Sequence, residues 1–182
     1  MENLKNLKVA VLVAEGFELS EFVEPVKALK EQGATVHVIS PQKDTVRSWD
    51  NGNWGKEFKV DTALENANSN DFDALLLPGG VINPDKLRRY EKAIDFVKAF
   101  MKEAKPVAAI CHGPWTLIET GMVKGRTLTS FHSIKTDLIN AGANWEDKEV
   151  VVDNNLVTSR NPGDIPVFVS KMTEKFREGV HV

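Results

Sequence analysis

Apolar and polar positions along the chain switch repeatedly between two periods. Val9–Ala14 is a short, almost purely apolar run, the pattern of a strand buried on both faces of a sheet. From Ser20 or Glu21 the spacing becomes helical, with Phe22, Val26 and Leu29 on one side and Gly33 closing the turn. Thr35–Ile39 reads as the second strand. Between Pro41 and Asp61 the pattern loosens. Val46–Trp49 and Glu57–Val60 alternate as short strands around the turn Asp50–Asn53, which predicts an inserted hairpin.

The core pattern then resumes. Ala74–Leu77 is a strand cut off by Pro78-Gly79-Gly80, and Glu91–Ala104 is an amphipathic helix with Ile94, Val97, Phe100 and Met101 inward. Val107–Ile110 is a fourth strand, followed by a helix from Gly113 to Thr120. A short Thr127–Ser130 strand precedes a helix from about Ser133 to Asn140, ended by Ala141-Gly142. Glu149–Val152 and Leu156–Ser159 flank the hairpin signal Asp153-Asn154-Asn155. Asp164 caps a final helix to about Glu178, striped by Val167, Phe168, Met172 and Phe176. Alternating β and α units predict one flavodoxin-like α/β three-layer sandwich: a mostly parallel sheet, helices on both faces, and a small inserted hairpin. Ligands in such sheets bind beyond the carboxyl ends of the strands. The loops after Ala14, Leu77 and Ile110 meet there.

Composition narrows the classes. A length of 182 residues suits a single domain covering the whole chain. A net charge of −3 gives no electrostatic basis for nucleic-acid binding. No apolar stretch approaches the ~18–20 residues that span a bilayer, so no membrane partner is expected. Met1–Lys8 is polar and runs straight into a strand, so no signal peptide is expected. One cysteine excludes an intrachain disulfide and a thiolate-rich zinc site, and the acids and histidines show no metal-ligand spacing. The expectation is a cytoplasmic protein with no cofactor and no metal.

That cysteine, Cys111, stands where an apolar strand stops and a helix begins, in Ile110-Cys111-His112-Gly113-Pro114-Trp115. A lone cysteine often merely packs in a core. Here Gly113 permits a tight turn and Pro114 suits a helix start, the thiol version of a strand–turn–helix nucleophile elbow. The helix N-terminus would favour a thiolate. Gly79 and Gly80, directly after a strand, can present backbone N–H groups to an oxyanion, with the His112 N–H as the other donor. His112 either anchors the turn or handles the thiol proton; adjacency alone does not bring its ring to the sulfur. The loop Glu15-Gly16-Phe17-Glu18-Leu19-Ser20-Glu21 brings carboxylates to the same edge, and one pointing inward would share a proton with sulfur.

Trp115 either packs beneath the elbow helix or lines the pocket. Trp49 and Trp54 in the hairpin either close on the domain core or serve an oligomer interface. Arg160 either binds an anion or, the better reading, hydrogen-bonds loop carbonyls.

Four motifs lie in register: Gly16 to Pro25 with Glu21, Leu75-Leu76-Leu77-Pro78-Gly79-Gly80, Ala109-Ile110-Cys111-His112-Gly113-Pro114, and Val157-Thr158-Ser159-Arg160. Together they resemble the PfpI-type intracellular protease family. That family lies in the class I glutamine amidotransferase-like superfamily and is related to the parkinsonism-associated protein deglycase. The resemblance implies Cys111 as nucleophile, Glu21 as the buried glutamate bonded to its sulfur, Glu18 as the neighbouring acid, and His112 as the family histidine. It implies an acid from a neighbouring subunit as the partner of His112, at the position held here by Asp85, where the protease pattern has glutamate. This in turn implies a homodimer or higher homo-oligomer. Phe131 stands where some members carry tyrosine, so any role of that hydroxyl is absent. Glutamine amidotransferases place their histidine far downstream. Only His132, lining the site or on the surface, and His181, in the tail, follow here, so a glutaminase reaction is not expected.

The implied activity is that of a cysteine-nucleophile hydrolase in stress protection. Its substrate is a peptide or amide bond, or a small reactive carbonyl such as methylglyoxal and its early adducts. A small pocket roofed by the hairpin favours the carbonyl, and an open cleft favours peptides. The alternative is a non-catalytic redox sensor in which Cys111 is oxidised to sulfinic acid.

Overall fold

The computed structural model describes residues 3–179; His181 lies outside them. Twelve strands and six α-helices follow one another as β1 (Lys8–Leu12), β2 (Phe17–Glu18), α1 (Leu19–Glu31), β3 (Thr35–Ser40), β4 (Thr45–Asp50), β5 (Asn53–Lys59), β6 (Thr62–Ala63), β7 (Ala74–Leu77), α2 (Ile82–Leu87), α3 (Glu91–Lys102), β8 (Val107–Ile110), α4 (Pro114–Ile118), β9 (Thr127–Leu128), α5 (Lys135–Asn140), β10 (Asn144–Trp145), β11 (Val151–Asp153), β12 (Leu156–Ser159) and α6 (Ile165–Glu178).

Seven strands form the central sheet in the order β11-β12-β8-β7-β1-β3-β6, parallel except for the β11–β12 pair at the edge. The all-apolar strands are explained by burial on both faces. Val9, Val11 and Val13 join Phe22, Leu29, Phe168 and Phe176 in one core, beneath α1 and α6. Ala10, Leu12 and Ala14 face the opposite core, with Phe96, Val97, Phe100, Leu117 and Leu138 of α3, α4 and α5. This is the predicted three-layer α/β sandwich.

The hairpin is longer than its periodicity indicates. It forms β4–β5 around Asn51 and Gly52, both at positive φ, with a register shift between Arg47 and Trp49. Its first strand also pairs with β2, giving a separate three-stranded sheet. Only Thr127–Leu128 of the predicted 127–130 strand is paired, and it pairs with β10 outside the main sheet. Ile94 and Val167, expected inward, are half-buried; Ala93 and Phe96 take the inner face of α3. Asp164 does not cap α6 with its side chain. Its carboxylate instead accepts from the Arg160 N–H and guanidinium, and Arg160 also reaches Asp147. Arg160 is therefore held by two carboxylates rather than by loop carbonyls.

Candidate active site

The three loops predicted to meet do so, and one buried side chain ties two of them. Asn83, in the first turn of α2 and fully buried, accepts from the Ala14 N–H after β1 at 2.7 Å. Its amide donates to the carbonyls of Pro78 and Gly79 at 3.0 and 3.1 Å. Gly79 can be nothing larger: a Cβ there would stand 2.5 Å from Glu21 Oε1 and 2.7 Å from the Cys111 Cβ. Gly80 adopts φ +79°, open to glycine at little steric cost.

Cys111 follows β8 directly at φ +62°, a left-handed conformation that costs a side-chain-bearing residue ~1–2 kcal/mol. Two backbone bonds impose it. The Cys111 N–H donates to the Ser159 carbonyl at 3.0 Å, and the Phe131 N–H donates to the Cys111 carbonyl at 2.8 Å. The elbow is real, yet the thiol is less open than the motif indicates, at 7% exposure. The helix below it, α4, has only five residues, so its end charge is weak. Burial pushes the thiol pKa up, and the Glu21 charge adds to this. The Gly80 and His112 amides pull it back.

Glu21, in the first turn of α1, is fully buried and contributes to the same cavity. Burial first, then the charge of Glu18, raises its pKa to about 8, while Cys111 and the Gly79 and Gly80 amides act in the opposite sense. Neither carboxyl oxygen has a partner at good hydrogen-bond geometry. These amides therefore act on the carboxyl through proximity more than through well-formed bonds. Glu21 is thus neutral at neutral pH. Glu18 is half-buried and shifted upward by burial and by Asp50.

His112 is adjacent to Cys111 in sequence, and its ring still reaches the sulfur: Nδ1 lies 3.2 Å from Sγ. Nε2 lies 3.1 Å from Ser133 Oγ, and Phe131 stacks on the ring at 4.8 Å and 24°. Burial, and then His132, lower the His112 pKa, which keeps the imidazole neutral.

The cavity holds about 390 Å³. Cys111, His112, Glu18, Glu21, Gly80 and Phe131 line it together with Trp49 of the hairpin. No lysine or arginine is among its lining residues. Four predicted residues stand apart. Gly79 faces Glu21 rather than the cavity. His132 is exposed against Phe131. Trp115 lies outside the cavity, with its indole N–H on Asp137 and Arg88 over its ring. Asp85 is exposed on α2 and not in the lining. Trp54 packs edge-on against Trp49 and is 45% exposed. Sequence reasoning missed Asn83 and Ser133. An asparagine before proline after an apolar pair was the only signal for Asn83, and Ser133 carried none.

A parallel α/β sandwich that presents a strained cysteine beside a buried glutamate defines a class of elbow-thiol proteins. Within that class the chain belongs to the DJ-1/PfpI family, whose profile matches residues 7–175. General stress protein 18 of Bacillus subtilis is 48% identical over 162 residues, covering 88% of this chain and 92% of that protein. Deglycase PfpI of Pyrococcus furiosus is 45% identical over 159 residues, covering 87% and 93%. A crystal structure of a two-domain protein from Anabaena variabilis, with DJ-1/ThiJ/PfpI-like and ferritin-like domains, superposes with a TM-score of 0.88 at 36% identity. The match covers 93% of this chain and 48% of that longer one. Among the described residues no helix is long and apolar enough to cross a membrane.

Proposed function

We propose that this protein uses Cys111 to convert small reactive carbonyl compounds and their early adducts, in a stress-protective role. The observation that carries the reading is the cavity. It holds about 390 Å³ and is lined by Cys111, His112 and, from the hairpin, Trp49. That volume fits a small molecule better than an extended peptide chain. The likeness to a protein named a deglycase supports the same substrate class.

With methylglyoxal the atoms balance as follows. The Cys111 sulfur bonds to the aldehyde carbon, whose π electron pair moves to oxygen and takes a proton to give a hemithioacetal. In this reading the Gly80 and His112 amides, which act on the Cys111 sulfur, serve as donors to that oxygen. A proton then moves from the sulfur-bearing carbon to its neighbour, and the hydroxyl proton moves to the neighbouring carbonyl oxygen, giving a 2-hydroxy thioester. Water cleaves the thioester, releasing the hydroxy acid and restoring the thiol.

The test is conversion of methylglyoxal to lactate by the wild-type chain, Cys111→Ala and Cys111→Ser, with a peptide substrate in parallel. Turnover in the wild type and only background in both variants is expected. An undiminished rate in Cys111→Ala removes the reading, and Cys111-dependent cleavage of the peptide alone moves it to a peptidase.

A second reading, oxidation of Cys111 by peroxide, is favoured by the two unpartnered Glu21 carboxyl oxygens beside the thiol. A neutral carboxyl there can donate to an oxidised sulfur.

A further inference from the structure

We infer that Ser133 is a positioning residue for His112, fixing the tautomer in which Nδ1 accepts the Cys111 proton. The inference rests on the reading of Cys111 as the nucleophile. Sγ and Ser133 Oγ stand at opposite nitrogens of one ring, at 3.2 and 3.1 Å. A neutral imidazole has one N–H donor and one acceptor. A thiol donating to Nδ1 requires the ring proton on Nε2, and that N–H then needs an acceptor. The Ser133 hydroxyl oxygen supplies it.

Ser133 itself is exposed, and the contact is fixed from the side of the ring and of the turn that carries the serine. Phe131 covers one face of the ring, and His112 itself is 7% exposed. Ser133 lies in the short turn His132–Ile134, which the buried Ile134 anchors to the core. The Phe131 N–H bond to the Cys111 carbonyl ties that turn to the elbow. The ring is neutral at rest; when the sulfur forms its bond to an electrophile, the S–H bond breaks and an Nδ1–H bond forms, and the Nε2–H of the resulting imidazolium continues to donate to Ser133. A hydroxyl orients the ring without adding a negative charge.

The test reads the rate of Cys111 alkylation by iodoacetamide at neutral pH, on the full chain. Loss of one neutral hydrogen bond predicts that Ser133→Ala slows alkylation about five- to tenfold. Ser133→Thr, which keeps the hydroxyl, restores the rate. In a His112→Ala background, Ser133→Ala has no further effect. The ¹⁵N spectrum of wild-type His112 shows the proton on Nε2, and Ser133→Ala shows mixed tautomers. An unchanged rate in Ser133→Ala, equal slowing in the His112→Ala background, or a wild-type proton on Nδ1 overturns the inference. Alkylation needs no turnover, so failure of the carbonyl reading and failure of this one are separately visible.

Discussion

Cys111 holds its sulfur in place through a backbone conformation that most residues avoid, with φ at +62°. The residues that give it chemistry were legible to different degrees. Cys111 and His112 sit in a local motif that reports a turn, whereas Glu21 was singled out among the acids of its loop only by the resemblance to the PfpI-type family. Ser133 does not, because a hydroxyl partner is defined by how a distant turn lands. The burial of the thiol was not legible for the same kind of reason: the elbow sequence reports a sharp turn and nothing about what packs around it. Mild peroxide tests the oxidation reading at this scale. Intact-mass and peptide analysis should find two oxygens on Cys111 before the methionines change, because a neutral Glu21 can donate to the sulfinate. An unmodified Cys111 beside oxidised methionines contradicts it.

At the scale of elements, the strands β1, β7 and β8 were readable because burial on both faces leaves a continuous apolar run. The two-residue strands β2, β6 and β10 were not, since two residues carry no periodicity and exist only through their partners, and β9 was read two residues too long. The loops at the sheet's carboxyl edge depend on Asn83, whose four-atom side chain stands in for backbone pairing between them. Asn83→Ala leaves the Ala14 N–H and two carbonyls buried without that partner. Chemical denaturation should show a loss of ~2–3 kcal/mol, with slower alkylation of Cys111 as the loops relax. A change below ~0.5 kcal/mol would show that the loops hold themselves.

For the molecule as a whole, strict β/α alternation made the sandwich and the position of its ligand-binding edge readable from the sequence. How the hairpin docks at the cavity was not readable. The hairpin reaches the cavity because β2 pairs with β4, the Gly16 N–H donates to the Arg47 carbonyl, and the Arg47 N–H donates to Glu15. These contacts span distant stretches of chain and leave no periodic trace. Closing the site removes water from two acidic groups at once, and that enclosure makes Cys111 and Glu21 titrate as a pair. Below about pH 8 the carboxyl is neutral, so the first proton lost leaves a single negative charge shared with sulfur. The second must leave against that charge and does so far higher. The most direct measurement is the pH dependence of Cys111 alkylation in the wild type and in Glu21→Gln. A first rise near pH 8 and a separate alkaline limb are predicted for the wild type, collapsing to one step in the variant. Identical single-step curves for both proteins would contradict the shared proton.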